Sequence, residues 1–443
     1  MSRFEDRKQA KEALSGMSAG VAVAASLDLG ASKISCFIMK ADGIRKTDRT
    51  VRVAGVGYVQ SRGIKGGAIV DMDAAAEAIA QAVERAEAMA GVSIPGVNVA
   101  TATGQMACHR VSTQISLGAK PISDADLSRA IASALTQVRY PNRWAIHLLP
   151  VAWAVDGQPG IRDPRNMFGR VLGLELLVVS MSAGGFQTLA QCVGQAHLEL
   201  QGVTAAPFAS ALSALEDDEM DLGAICIDMG GGSTSAAVFA GGGLVHIDCL
   251  HVGGGHVTAD IARGLSTTLA GAERIKTLHG SAIASSNEDR EMIEAPPRGD
   301  EPGAGPVVFP RSMLKGVIAP RVEETLELLR ERLKASGAPI EPGAGIVLTG
   351  GASQLAGVRE VAVRVFDRPV RLGRPRRAPH LADAAAGPAF CTASGVLLRT
   401  AYGPRDVVPS RKLMSGRLSP RDAPQADQGG LVTRTLSWLR ENL

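Results

Sequence analysis

The sequence predicts an α/β fold made of two related lobes around a cleft, with a small α/β subdomain inserted into the first lobe. Apolar, β-branched segments of strand length alternate with segments of helical periodicity along most of the chain. A pattern of strand, Asp-x-Gly turn and strand occurs twice, once near residue 28 and again near residue 228. Residues 104–178 interrupt the first half with a strand and helix pattern of different character. A duplicated fold with one insertion accounts for all three observations.

The composition describes a globular protein of more than one domain. Its 443 residues exceed what one hydrophobic core normally organises. A net charge of +3 and an aromatic content of 3% argue against nucleic acid as a partner. No apolar run of about 18 residues occurs, and the N-terminus lacks the apolar core of a signal peptide. The six cysteines show no metal-ligand spacing and predict buried, reduced thiols.

The first half begins with a polar segment, residues 1–20, which predicts a flexible arm. "VAVAASLDLGASKISCFIMK" then predicts two strands joined by a tight turn, and "TVRVAGVGYV" predicts a third strand. A helix begins near Met72 and is expected to stop at Gly91, a typical residue after a helix end. "GVNVATAT" predicts a further strand. Within the insertion, "HRVSTQISL" predicts a strand, and Ser123 is placed to cap the helix that follows.

The second half repeats the pattern in "GAICIDMGGGSTSAAVFAGGGLVHIDCL". A long helix is expected to break or begin near Pro320. The predicted organisation is an arm at 1–20, a first-lobe core at 21–103 and 179–212, an inserted subdomain at 104–178, a second-lobe core at 213–258 and 336–402, an outer subdomain of the second lobe at 259–335, a linker at 403–429 and a terminal helix at 430–443.

The glycine-rich turns predict a phosphate site. Glycine lets backbone N–H groups approach phosphate oxygens closely, and an Asp at each strand end can hold water on a divalent metal. "TGGAS", after another apolar strand, adds a third turn at which an adenosine can lie against the backbone. An ordinary β-hairpin uses the same residue types, so the prediction depends on the repetition. The candidate binding residues are Asp28, Gly30, Ala31, Ser32, Lys33, Asp228, Gly230, Gly231, Gly232, Ser233, Thr234, Gly350, Gly351 and Ala352, with Asp28 and Asp228 also as candidate metal-facing residues.

These motifs resemble those of the actin, Hsp70 and sugar-kinase ATPase superfamily, at residues 27–33, 227–234 and 348–352. The resemblance implies an actin-like duplicated ATPase fold that binds ATP with Mg²⁺ in the cleft. It also assigns a nucleoside contact to Glu273 and Lys276 of "GAERIKTLHG". A plain ion pair between these two residues, three apart on a helix, is the alternative.

Longer stretches narrow the resemblance to the FtsA family of bacterial cell-division proteins. They are "GYVQSRGIKGGAIVDMDAAAEAI", "GVIAPRVEETLELL", "GIVLTGGASQLAGV" and the terminal "LSWLREN". This resemblance implies a protein that polymerises, tethers FtsZ filaments to the cytoplasmic face of the inner membrane at the division site, and recruits later division proteins. It also implies that Arg311 belongs to the face that receives the FtsZ C-terminal tail. A solvated arginine is the alternative.

One position departs from the superfamily pattern. Many members carry a Glu before a Pro in the segment that reads "TAAPFASALSAL" here, and that acid positions the attacking water; Ala206 occupies its place. An alanine cannot act as a general base, so at most weak ATPase activity is expected. Rival functions are a small-metabolite kinase, a chaperone related to Hsp70 and a pilus-assembly relative of FtsA. The terminal segment and the resemblance along the whole chain favour the division protein.

The C-terminal segment predicts an amphipathic membrane-targeting helix. Winding residues 431–443 at about 100° per residue places its apolar side chains within an arc of roughly 160°. Two arginines border that arc, from which they can reach anionic lipid headgroups. Docking of this helix on the protein's own core is the alternative. The candidate membrane residues are Leu431, Val432, Arg434, Leu436, Trp438, Leu439, Arg440 and Leu443.

Overall fold

The computed structural model describes residues 22–42, 50–138, 142–283, 290–298, 305–375, 381 and 383–402. The predicted arm, the linker and the terminal helix therefore lie outside the described residues. Among the described residues, no helix is both long and apolar enough to cross a membrane.

The first lobe opens with strands that pair as the sequence predicts. Its first elements are β1 (Ala22–Leu29), β2 (Lys33–Asp42), β3 (Thr50–Gln60), β4 (Ile64–Lys65), β5 (Ala68–Ile69), α1 (Met72–Ala90) and β6 (Gly96–Thr101). α1 ends at Gly91 in the left-handed conformation, with φ of 63°, as predicted. Gly55 and Gly57 of β3 lie against α1, where a β-carbon would come within 2.1 Å of its carbonyl oxygens. Glycine in this strand therefore permits close helix packing.

The inserted segment forms a four-stranded antiparallel sheet covered by one helix. Its elements are β7 (Ala107–Ser116), α2 (Asp124–Gln137), β8 (Arg143–Val155), β9 (Gln158–Ile161) and β10 (Val171–Ser182), and the sheet order is β7-β10-β8-β9. Ser123 precedes α2, and its hydroxyl donates to Asp126 Oδ2 at 2.6 Å. This hydrogen bond contributes most to lowering the pKa of Asp126 to about 2. The sheet and helix enclose a hydrophobic core of their own.

The chain then completes the first lobe and crosses to the second. The connecting elements are α3 (Ala183–Gln195), β11 (Glu199–Ala205), α4 (Ala206–Ala214) and α5 (Asp217–Leu222). β11 and β6 run parallel, and the first-lobe sheet has the order β11-β6-β1-β2-β3.

The second lobe repeats this arrangement around a sheet of order β14-β13-β12-β17-β18. Its elements are β12 (Ala224–Met229), β13 (Thr234–Ala240), β14 (Gly243–Leu250), α6 (Gly254–Gly264), α7 (Leu269–His279), β15 (Met292–Ala295), β16 (Val307–Pro310), α8 (Arg311–Ala335), β17 (Gly345–Thr349), α9 (Val358–Phe366), β18 (Val370–Leu372) and α10 (Cys391–Tyr402). The break predicted near Pro320 is absent, because α8 continues through this residue. Leu314, Ile318, Val322 and Leu326 on one face of α8 are buried, so tertiary packing outweighs the cost of one missing N–H donor.

The duplication is visible in strand register. Asp28 pairs with Ser35 across β1 and β2, and Asp228 pairs with Ser235 across β12 and β13. Each of these strands also has a parallel neighbour, β6 for β1 and β17 for β12. The two Asp-Gly turns therefore occupy equivalent corners of two equivalent sheets.

The last helix of each half packs on the opposite half. α4 follows β11 of the first lobe but packs against β12, β13 and β14 of the second. α10 falls within the predicted second-lobe core, yet it packs against β1, β2 and β6 of the first lobe. The two helices cross at Gly395, where a β-carbon would lie 1.7 Å from the carbonyl oxygen of Ala209. This crossing joins the lobes beneath the cleft.

Candidate nucleotide site

The two predicted turns have the same local geometry. The N–H of Gly30 donates to the carbonyl of Lys33 at 3.1 Å, and the N–H of Gly230 donates to the carbonyl of Ser233 at 2.8 Å. The hydrogen bonds of the described residues leave the turn N–H groups of Ala31, Ser32, Gly231 and Gly232 without a protein acceptor. Two sets of backbone donors suit phosphate oxygens.

The second turn is braced by the start of α6. The N–H groups of Gly254 and Gly255 donate to the carbonyls of Gly230 and Gly231, at 2.9 and 2.7 Å. A β-carbon on Gly253 would lie 2.5 Å from the Gly230 carbonyl oxygen, which explains the run of glycines before this helix.

The turns face each other across the cleft and touch. A β-carbon on Gly231 would lie 1.8 Å from Ser32 Oγ, and one on Gly232 would lie 2.6 Å from Ala31 Cβ. The structure thus brings together the phosphate residues predicted from both halves.

Asp28 and Lys33 form a half-buried pair of opposite charge beside the first turn. Burial raises the pKa of Asp28 to about 7; Lys33 opposes this shift and Asp228 adds to it. Burial also lowers the pKa of Lys33 to about 8, against the pull of both carboxylates. Lys33 Nζ donates to the Ala389 carbonyl at 2.7 Å and lies 3.2 Å from the centroid of the Phe390 ring. The lysine therefore reaches the segment that precedes α10.

Asp228 is held by side chains from both crossing helices. Its Oδ2 accepts hydrogen bonds from Ser210 of α4 and from Thr392 of α10, the second at 2.9 Å. Burial raises the pKa of Asp228, and these two hydrogen bonds oppose the rise.

The predicted adenosine motif lies directly beside Asp228. Gly350 follows β17 with φ of 84°, and a β-carbon there would lie 2.3 Å from Asp228 Oδ1. Ala352 Cβ lies 3.0 Å from where a β-carbon would stand on Gly254, at the start of α6. Only glycine fits between Asp228 and the turn after β17, because both the conformation and the space exclude a side chain.

Glu273 and Lys276 form the ion pair that the alternative interpretation predicts, with 2.7 Å between Oε2 and Nζ. Lys276 is 14% exposed and also donates to the hydroxyl of Thr258 at 2.8 Å and to the carbonyl of Gly254 at 3.2 Å. The pair therefore lies next to the start of α6, the helix that braces the second turn. The ion pair is present, and the nucleoside contact stays a prediction.

The donor chemistry of the cleft fits Mg²⁺ bound through water. Carboxylate oxygens suit this ion, which keeps several waters and takes further oxygens from phosphates. No group of three or more His, Cys, Asp or Glu within the described part of the chain is arranged to hold a metal by itself. Asp28 and Asp228 would therefore hold the ion's waters, and the nucleotide would supply the remaining ligands.

Ala206 begins α4 and is buried. His251 is exposed, whereas Nδ1 of His256 accepts the Gly253 N–H at 3.2 Å and so caps α6.

Arg311 is more buried than a solvated arginine. Its side chain is 19% exposed and donates to the carbonyl of His279 at 2.9 Å and to Glu291 Oε2 at 3.1 Å. It therefore ties the start of α8 to the end of α7. The predicted membrane residues, from Leu431 to Leu443, lie outside the described residues.

Sequence reasoning missed Ser210, Thr392 and the segment Pro388–Phe390. A signal was present, because Pro207, Phe208 and Ser210 are echoed by Pro388, Phe390 and Thr392. In both places a proline and an aromatic residue precede a hydroxyl residue on a helix of small side chains. This second internal repeat marks the two crossing helices.

Comparison with known proteins agrees with this architecture. The family model "Cell division protein FtsA" matches residues 225–395, and "SHS2 domain inserted in FTSA" matches residues 103–180. The chain is 39% identical over 422 residues to "Cell division protein FtsA" of Agrobacterium fabrum, covering 94% of each chain.

Solved structures share the fold at low sequence identity. The "PilM-PilN type IV pilus biogenesis complex" matches with a TM-score of 0.60 and 17% identity, over 85% of this chain and 98% of that one. MreB5 of Spiroplasma citri bound to ADP matches with a TM-score of 0.51 and 15% identity, over 85% and 95%. The predicted actin-like fold with its inserted subdomain is confirmed.

The duplicated lobes, the inserted subdomain and a similarity that extends over nearly the whole length of both chains lead to one conclusion: this chain belongs to the FtsA family of bacterial cell-division proteins.

Proposed function

We propose that this protein is an ATP-binding adaptor that polymerises and tethers FtsZ filaments to the cytoplasmic membrane at the division site. The observation that carries the proposal is the meeting of two equivalent glycine turns, Asp28 and Asp228 in one cleft, in a chain of the FtsA family. Membership of that family supports a location at the division site and the recruitment of division proteins that join later.

ATP with Mg²⁺ is the proposed ligand of the cleft. The free N–H groups of both turns would hold the phosphates, Lys33 would neutralise their charge, and the turn at Gly350 would receive the nucleoside beside Glu273 and Lys276. A solved protein of the same fold, MreB5, is bound to ADP, which supports this choice of ligand.

Slow hydrolysis follows from the chemistry of α4. Ala206 supplies no group that can take a proton from water, and no carboxylate replaces it at the start of that helix. We therefore propose that ATP serves mainly to set the arrangement of the lobes and the assembly state. A kinase of the same fold would need a base for its accepting hydroxyl, and the same helix argues against it.

Assembly is proposed to be head to tail. The two lobes present unlike surfaces at opposite ends, and a contact between unlike surfaces extends into a filament. The inserted subdomain at 104–178, which has a core of its own, is proposed to supply one of these contacts.

The surface around Arg311 and α8 is proposed to receive the FtsZ C-terminal tail. Met313 follows this arginine on α8, and Met292 of β15 pairs with Pro310, the residue before it. Both methionines are exposed. The ion pair with Glu291 and the hydrogen bond to the His279 carbonyl hold Arg311 in a fixed place at the start of α8.

Residues 430–443 are proposed to be a reversible membrane anchor. Partial burial of six apolar side chains would contribute on the order of 5 kcal/mol, at about 1 kcal/mol each. Folding of a short helix and its immobilisation offset part of this. One copy would bind a bilayer weakly and a filament of many copies tightly, which couples attachment to assembly.

Vesicle co-sedimentation tests the whole proposal. The intact protein should sediment with anionic vesicles and carry purified FtsZ with it, and a protein lacking residues 430–443 should do neither. Sedimentation of FtsZ with the shortened protein would contradict the tether. A pilus-assembly relative, the main alternative, would leave FtsZ in the supernatant in both cases.

A further inference from the structure

Two hydroxyls from different helices hold one oxygen of the Asp228 carboxylate. Oδ2 accepts hydrogen bonds from Ser210 Oγ of α4 and from Thr392 Oγ1 of α10. The two hydroxyl oxygens are 2.8 Å apart. Ser210 is fully buried and Thr392 is 7% exposed. The three side chains form one closed cluster at the place where the crossing helices approach the cleft.

The other oxygen of Asp228 points in a different direction. A β-carbon on Gly350 would lie 2.3 Å from Oδ1, so this oxygen is turned toward the start of the third glycine turn. Because both hydroxyls hold Oδ2, the plane of the carboxylate is fixed. No hydrogen bond of the described residues reaches Oδ1, which adjoins the third glycine turn.

The equivalent residue of the first lobe is held differently. No hydroxyl among the described residues donates to Asp28, and its main charged neighbour is Lys33. The hydroxyl of Ser26, two residues earlier on the same strand, donates to the carbonyl of Ala393 at 2.9 Å. The hydroxyl pair is therefore a feature of the second-lobe carboxylate and not of every Asp-Gly turn in this fold.

We propose that Ser210 and Thr392 are positioning residues for magnesium. They occupy Oδ2 and so keep Oδ1 beside the third glycine turn, free of described hydrogen bonds, from where it would hold water on Mg²⁺. Because one hydroxyl comes from α4 and the other from α10, they also connect this metal contact to the helices that join the lobes. The inference rests on the proposed ATP site and adds to it the two residues that orient its metal-facing carboxylate.

The test separates metal-dependent from metal-independent nucleotide binding. ATP is titrated calorimetrically into wild type and into the double variant Ser210→Ala, Thr392→Val, once with Mg²⁺ and once with EDTA. Loss of hydrogen bonds to a charged group should weaken binding about tenfold with Mg²⁺. Binding in EDTA should change less than about twofold, since both hydroxyls are directed at Asp228. Thr392→Ser, which keeps the hydroxyl, should behave as wild type.

Matched controls use hydroxyls on the same two helices. Ser213→Ala on α4 and Thr400→Val on α10 remove hydroxyls that make no described hydrogen bond to Asp228, and the hydroxyl of Thr400 donates to its own helix at Val396. Both should keep the wild-type ratio of affinities with and without Mg²⁺.

An equal loss of affinity in Mg²⁺ and in EDTA would overturn the inference, and so would no loss in either. If the double variant does not fold, Ser210→Ala alone is measured. The loss of ATP affinity with Mg²⁺ should then exceed the loss in EDTA by about threefold. Failure of wild type itself to bind ATP in either buffer would instead contradict the nucleotide site, which is a distinguishable result.

Discussion

Gly395 of α10 lies against Ala209 of α4 so closely that a β-carbon at position 395 would be 1.7 Å from the Ala209 carbonyl oxygen. The obstacle is backbone and cannot rotate away. The Gly395→Ala variant should therefore lower the free energy of unfolding by about 1–3 kcal/mol or more, in spite of the better helix propensity of alanine. Thermal unfolding monitored by circular dichroism measures this effect.

Gly316 in α8 provides the matched control. It also lies inside a helix, and a β-carbon there meets nothing within 4 Å. Gly316→Ala should be neutral or stabilising by about 0.5–1 kcal/mol. Equal behaviour of the two variants would show that α4 and α10 do not pack as closely as described.

Lys33 should contribute directly to nucleotide affinity. Removal of its charge in Lys33→Ala should weaken ATP binding about tenfold or more, because a charge-assisted contact to phosphate is lost. Lys40→Ala is the control, since Lys40 lies on the same strand but donates to the carbonyl of Ala90 at 2.6 Å. Asp228→Ala should also weaken binding with Mg²⁺. Titration curves that match wild type for both Lys33→Ala and Asp228→Ala would contradict the assignment of the nucleotide site.

Reversal of charge at Arg311 should weaken binding of an FtsZ tail peptide. Because Arg311 also pairs with Glu291, the single variant Arg311→Glu disturbs the fold locally. The double variant Arg311→Glu, Glu291→Arg restores an internal ion pair with reversed order. If Arg311 meets the peptide, both variants should bind several-fold more weakly in fluorescence anisotropy. Recovery in the double variant would assign Arg311 a purely structural role.

The membrane anchor is expected to depend on which side of the helix carries a charge. Trp438→Glu puts a carboxylate inside the apolar arc and should release the protein from anionic vesicles. Ser437→Glu adds the same charge at the neighbouring position, which falls opposite the centre of that arc. It should weaken binding only modestly, through charge repulsion. Equal release by both variants would show that charge alone, and not burial of the apolar arc, binds the segment to the vesicles.

The buried cysteines should be unreactive while the protein is folded. Burial raises the pKa of Cys36 and of Cys391 to about 12, so the thiol form dominates at pH 8. The thiolate fraction is then about 1,000-fold smaller than at the ordinary pKa of 9.0. Iodoacetamide should spare both residues in the native protein and modify them in guanidinium, as measured by peptide mass spectrometry. Rapid native labelling of Cys36 would mean that the first-lobe sheet opens.

Local sequence was enough to predict the turns but not their surroundings. Strand, Asp and glycine follow one another within a few residues, so the corner at Asp28 and the corner at Asp228 can be recognised without tertiary information. Thr392 reaches Asp228 from 164 residues away, and only the packing of α10 brings it there. Pro320 shows the reverse effect, because burial on both sides of it maintains a helix that local rules would end.

The exchange of α4 and α10 between the lobes has a consequence for biosynthesis. The apolar face formed by Phe37, Met39 and Val53 is covered by Phe390 and Leu397, which are among the last described residues of the chain. A ribosome synthesises that face early and its cover late, so the first lobe cannot mature as a domain by itself during translation. Until the cover emerges, this nascent surface is available to chaperones or to aggregation. Any division of the gene between the lobes would leave each product with the helix that its counterpart needs.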